Sequence, residues 1–246
     1  MTGVDALRVS AVLVAGVGLA SCAAAPRASV RLSPLLLPAA AVQPVALTAS
    51  PWPRRDVLDL ALQAYRCGRT LGYIDRPLLT VIDYSLPSTA RRLWVIDVAH
   101  SRVLFNELVA HGERSGEDTP VAFSNRAGSR QSSLGLFRAE DVYDGEHGVS
   151  LRLAGLEPGV NDRARERRIV MHGAPYVSEA FIAEHGRLGR SWGCPALPAG
   201  VHEQLIDRIR DGSAVFAFYP DQQWLQSSRF LHCDAARMAE RDTPPR

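Results

Sequence analysis

Residues 168–197 open as Arg168-Ile169-Val170-Met171-His172-Gly173 and, after seventeen further residues, close as Ser191-Trp192-Gly193-Cys194-Pro195-Ala196-Leu197. The apolar run Ile169–Met171 predicts a short buried strand that ends on a histidine and a glycine. Cys194 stands between Gly193 and Pro195, where neither helix nor strand continues easily. A cysteine reacts as its thiolate, and an imidazole within hydrogen-bond reach supplies the base that makes it. Glycine beside each reactive residue permits tight backbone geometry and leaves N–H groups able to face an oxyanion. Cys194 is therefore the candidate nucleophile and His172 the candidate general base and acid. Gly173 and Gly193 are the candidate oxyanion and turn positions.

The spacing H-G-x(17)-S-x-G-C resembles the signature of the L,D-transpeptidases, cysteine enzymes that remodel bacterial peptidoglycan. The likeness extends upstream through F-S-N-R-A-G-S-R-Q-S-S-L-G-L-F at 123–137 and follows the branch that reads S-x-G-C-P-A-L. It covers roughly residues 56–232. Two positions depart from the more familiar branch: Trp192 stands where His or Arg is usual, and Ala196 where an Arg is usual. The resemblance implies that Cys194 attacks a peptide carbonyl in a tetrapeptide stem and that no cofactor takes part. It also implies that carbapenem-type β-lactams acylate Cys194, and that a backbone carbonyl near Gly173 orients His172.

Around this pair the sequence offers a polar rim. Ser191, Arg190, Trp192, His111 and Ser133 are candidate substrate contacts, with Ser124, Asn125 and Ser132 in the same hydroxyl- and amide-rich stretch. Turn formation explains those small polar residues equally well. Arg190 is the candidate partner for a substrate carboxylate, and with a helix N-terminus near Gly200 it is placed to favour a thiolate. His111-Gly112 ends another apolar run, and His185 falls in the insertion between base and nucleophile, where a lid would lie. His100, His147, His202 and His232 read as surface or structural. No histidine pair has zinc-site spacing, so no metal is expected. Gly189–Gly193 also spells G-x-S-x-G, but Pro195 and Pro198 stand where a serine-hydrolase elbow requires a helix.

The chain has 246 residues and a formal net charge of +2, ordinary for a globular protein and no case for nucleic acid. Its 28 basic residues are all arginine. Residues 1–22 read as an export signal: Arg8 leads an apolar stretch, Ala11–Ala20, too short to span a bilayer. Leu19-Ala20-Ser21-Cys22 resembles a bacterial lipobox, so Cys22 is the expected lipidation site, tying the protein to a membrane on the periplasmic side. Ala23 after it favours the outer membrane of a Gram-negative cell. Residues 23–55, with prolines at 26, 34, 38, 44, 51 and 53, read as an extended tether. Cys67 and Cys233 are left over, either paired in an oxidising compartment or buried as free thiols.

A catalytic domain is expected over 56–233, with a polar tail at 234–246. Asp56–Leu71 has helical spacing, with Asp56 as its N-cap. Short strands are expected at 79–84, 93–98, 103–109, 121–124, 134–142, 149–156, 168–172 and 214–219, and a helix at 200–210. Many short strands with few helices predict a mainly β (α+β) fold, a mostly antiparallel β-sandwich with helices attached.

Overall fold

The structure, a computed structural model, describes residues 52–233; the export signal, Cys22, most of the tether and the polar tail lie outside the described residues. Helix α1 (Arg55–Thr70) is followed by strands β1 (Leu78–Asp83), β2 (Leu93–Asp97), β3 (Arg102–Glu107), β4 (Gly135–Gly145), β5 (Gly148–Gly155) and β6 (Val170–Ala174). Then come helix α2 (Glu179–His185), strand β7 (Ala196–Pro198), helix α3 (His202–Ile209), strand β8 (Ala214–Phe218) and helix α4 (Gln222–Ser227). The fold is mainly β with attached helices, as the short alternating segments predict.

All eight strands belong to one mixed sheet in the order β3-β2-β1-β8-β4-β5-β6-β7. Most pairings are antiparallel; β1 with β8 and β6 with β7 are parallel. The two layers expected of a sandwich come from this single sheet rolling over. Just past β3 the chain reaches the far edge, where the Ala110 N–H donates to the Ala196 carbonyl of β7 at 2.9 Å. Inward side chains of β1, β4, β5 and β8 (Ile82, Phe137, Leu153, Val215) then meet Ile169 and Pro195 around one small interior space.

The apolar runs explain which strands are central. Every residue of β1, β2 and β8 is buried, since both faces are covered and no solvent-facing alternation is needed. Helix α1 lays Val57, Ala61, Ala64 and Tyr65 against β1 and β8, one face at helical spacing. Each large apolar side chain removed from water there stabilises by about 1.5–3 kcal/mol. Asp56 is not the cap: Arg54 holds that position without a side-chain cap bond, and Asp56 lies in the first turn, where its charge suits the helix dipole. The two remaining cysteines sort as well. Cys67 on α1 and Cys233 form a disulfide with Cα atoms 5.9 Å apart, closing 166 residues.

Besides the unforeseen short helix α4, three elements differ from expectation. Residues 121–124 form no strand; Val121 and Ala122 donate instead to the Ser115 carbonyl, and Ser124 to that of Ser132. The insertion after β6 contains α2, capped by the Ser178 hydroxyl accepting from the Phe181 N–H at 3.2 Å, with no buried residue. Its apolar footing is a small separate cluster of Leu108, Ala110, Ala174, Val177, Leu188 and Ala196. Strand β7 was hidden between Pro195 and Pro198, where three residues are too few to leave a pattern.

Candidate active site

Cys194 lies two residues before β7, and His172 is the middle residue of β6. The two strands run parallel with His172 beside Ala196, so Cys194 enters β7 alongside the segment that leads into His172. The Cys194 thiol donates to the Arg168 carbonyl at 3.7 Å, and the backbone of Val170 also reaches the sulfur. Arg168 has a left-handed backbone, φ 55°, an uncommon state for a side chain of its size. Gly193 has φ 122°, and a Cβ there would come within 2.8 Å of the Gln131 carbonyl oxygen. Only glycine fits that turn.

Burial pushes the Cys194 thiol above its ordinary range, opposed by the Val170 backbone and the Arg167 guanidinium. Burial pushes His172 the other way, below its ordinary range, and the Gly173 carbonyl contact only partly restores it; His147 and His202 lower it further. Both shifts oppose charge, so the resting pair is a neutral thiol and a neutral imidazole. The His172 tautomer follows from its neighbour. Nδ1 lies 3.0 Å from the Gly173 oxygen, which can only accept, so Nδ1 carries the proton and Nε2 is the free acceptor. Gly173 itself must be small: a Cβ there would sit 2.6 Å from the His202 ring.

The wall beside the thiol is held by Arg167, which the sequence reading did not single out. Its guanidinium donates to the carbonyl oxygens of Ser124 and Gln131, the latter at 2.6 Å, and to the hydroxyls of Ser133 and Ser129. One side chain thus ties the 124–133 loop against Gly193. Within the run Arg163–Arg168 nothing in the sequence distinguishes it; Arg163 and Arg165 pair outward with Glu166 and Glu140.

The other anticipated residues take definite places. The Ser191 hydroxyl donates to the Cys194 carbonyl at 2.6 Å and accepts from the Gly193 N–H at 3.0 Å. It shapes the turn, and no helix follows it, so the G-x-S-x-G match is coincidental. The same contact occupies the Gly193 N–H, which removes it as a free oxyanion donor. The Cys194 N–H has no hydrogen-bond partner among the described residues. Ser132 accepts from the Gly112 N–H and donates to the Gly193 carbonyl. Ser133 donates to the Ser124 carbonyl, the Ser124 hydroxyl accepts from the Arg126 N–H, and Asn125 bonds Asp162. These hydroxyls hold loops together.

Arg190 donates through Nη1 to Glu117 at 2.8 Å and to the carbonyls of Glu113 and Gly116, so one arm of its guanidinium is held by the chain itself. His111 is fully buried and faces inward rather than into a cleft. Arg92, also fully buried, donates to its Nδ1 at 2.7 Å, which holds the imidazole neutral and its pKa down to about 4, burial being the larger cause. His185 stays on α2, stacked on Phe181. Trp192 is 69% exposed with the Arg130 guanidinium 4.5 Å from its ring centre, itself paired to Glu113. His147 was expected at the surface and is exposed, yet its ring stacks on His172 with centroids 4.4 Å apart. Among the described residues no group of acidic, histidine or cysteine side chains is arranged to hold a metal.

Residues 51–218 match the family model described as the L,D-transpeptidase catalytic domain. That match spans well over half of the chain, and the protein belongs to the L,D-transpeptidase catalytic-domain family. No curated protein matches it. Solved structures with a similar fold include an L,D-transpeptidase from Mycobacterium smegmatis (15% identity, 58% of this chain and 59% of that one, TM-score 0.36). Another is the helical cell shape determining protein Pgp2 from Campylobacter jejuni (13% identity, 66% and 56%, TM-score 0.40). A third is an L,D-transpeptidase from Stackebrandtia nassauensis (13% identity, 65% and 66%, TM-score 0.35). The chain thus spans about three-fifths of the length of the Mycobacterium smegmatis structure.

Proposed function

We propose that this protein is a peptidoglycan L,D-transpeptidase that works through a thioester on Cys194. The observation that carries the reading is a half-buried thiol on the turn that enters the strand beside His172, whose Nδ1–H is committed to Gly173, leaving Nε2 as base. Because both groups rest neutral, the proton moves from Sγ to Nε2 as the sulfur attacks the stem carbonyl. The S–C bond forms, the C–N bond to the terminal D-residue breaks, and the His172 imidazolium returns its proton to the leaving amine. The unpartnered Cys194 N–H is the available donor to the oxyanion. An acceptor amine then resolves the thioester into a cross-link. Water in its place gives carboxypeptidase activity, and a protein amine gives protein attachment. A cleft lined by Tyr143, Arg152, Arg165 and Arg168 opens beside β6; Arg152 and Arg165 are paired with Asp141 and Glu140, and the Arg168 guanidinium is the group suited to a stem-peptide carboxylate. Export and a lipid anchor at Cys22 complete the proposal and place the site next to its polymer.

Intact-mass spectrometry of the protein with a purified disaccharide-tetrapeptide tests this. The wild type should gain the mass of the acyl fragment and Cys194→Ala should gain none, with its folding unchanged. Muropeptide binding without any adduct on the wild type would instead favour a non-catalytic binding protein.

A further inference from the structure

The β4–β5 hairpin is long and ends in a two-residue turn, Glu146-His147, between the paired Gly145 and Gly148. Such a tip normally points into solvent, and His147 is exposed. Its ring nevertheless lies on that of His172, with centroids 4.4 Å apart and planes 24° from parallel. The placement is braced. Ser150 on β5 is the direct cross-strand partner of His172, and its hydroxyl donates to the Gly148 carbonyl at 2.9 Å, fixing the turn that carries His147. From the other side His202 of α3 packs under Gly173, its Nδ1 held by the Ala199 carbonyl at 3.0 Å. The His172 ring is therefore covered on one face by His147 and tied by Nδ1 to Gly173.

We propose that His147 is a positioning residue for His172: it holds the plane of the imidazole by stacking on it. The inference rests on the role given to His172 above. Stacking fixes the one ring torsion that the Nδ1 bond leaves loose, and orientation of a base is worth substantial rate. His147 also acts electrostatically on its neighbour, lowering the His172 pKa alongside the larger effect of burial. The charged or titratable groups bearing on His172 are His147 from the hairpin and His202 from α3, with the Cys194 thiol as its reaction partner. Of the two histidines, only His147 is exposed at a mobile kind of element, a hairpin tip.

The sign follows directly. Removing His147 removes an effect that lowers the His172 pKa, so the acid limb of kcat/KM moves to higher pH. Two variants separate stacking from charge. His147→Phe keeps an aromatic ring over His172; it should retain plateau kcat within about twofold while the acid limb rises by about 0.5 pH unit. His147→Ala loses both and should also drop plateau kcat about fivefold to tenfold, with KM little changed. Glu146→Ala on the same turn should move neither. The His172 ring titration, followed by proton–nitrogen correlation spectroscopy in the wild type and His147→Phe, reads the coupling without any turnover. A shift there without turnover in the wild type would support the coupling and sink the enzymatic reading instead. An unchanged His172 titration and unchanged pH profile in both His147 variants, with folding intact, overturns the proposal.

Discussion

The end of the molecule stapled by Cys67–Cys233 and the face around Cys194 are built on opposite physical plans. At the stapled end α1, β1, β2 and β8 bury apolar side chains on both faces, and the disulfide closes 166 residues. Around Cys194 the chain is held by hydroxyl and guanidinium contacts to backbone oxygens: Ser132 to Gly193, Ser191 to Cys194, Arg167 to Gln131 and Ser124. Apolar burial is non-directional and supplies stability; polar contacts are directional and fix the position of one atom. A nucleophile needs the second kind of support, and the first kind elsewhere makes it possible.

This division can be tested from the largest effect down. Replacing Cys67 and Cys233 together by Ser should cost about 5 kcal/mol of stability if loop entropy governs, read by denaturant unfolding. The rate of Cys194 alkylation in the still-folded protein should not change; a large drop would show that the two regions are coupled. Acid should act next, through His111. Its folded pKa, about 4, lies below the ordinary 6.5, so its contribution is complete above 6.5 and is lost as pH falls towards 4. The loss amounts to about 3 kcal/mol, and in His111→Asn that part of the pH dependence should disappear.

Two arginines sharpen the contrast within the site face. Arg167→Met removes several contacts to the 124–133 loop and the cation beside the thiol. It should destabilise by about 2 kcal/mol and move the pH profile of Cys194 alkylation upward, because the thiolate loses its compensating charge. Arg190→Met should cost about 1 kcal/mol and leave that profile in place, since Arg190 donates through Nη1 to Glu117 and two carbonyls and Arg167 is the cation acting on Cys194. If Arg190→Met shifts the profile more than Arg167→Met, the assignment of the cation is wrong. Trp192→Ala, at an exposed ring, should change stability by no more than about 0.5 kcal/mol; its effect on substrate KM then measures recognition alone.

Legibility tracked how local each signal was. The short strands at 93–97 and 214–218 and the helix at 202–209 are announced by periodic or continuous apolar residues, and they lie where those patterns place them. Strand β7 and helix α4 have too few residues to carry a period, and residues 121–124 look like a strand while no neighbour pairs with them along their length. In the site, the turn role of Ser191 was legible from its glycine neighbours. Arg167 was not, because its partners are loop carbonyls and hydroxyls 34–43 residues upstream in the chain. Arg190 looked free for the same reason in reverse: Glu117, its partner, is 73 residues away.

The amino-acid sequence by itself determined the family and the mainly β architecture and marked Cys194 and His172 as the candidate pair, because spacing and periodicity are properties of the linear chain. Only the tertiary structure decided which amide is left unpartnered, which arginine stands beside the thiol, that Cys67 meets Cys233 and that His147 covers His172. Hydrogen bonds, charge and ring stacking act over a few ångströms, and which atoms come that close is set by how the sheet rolls.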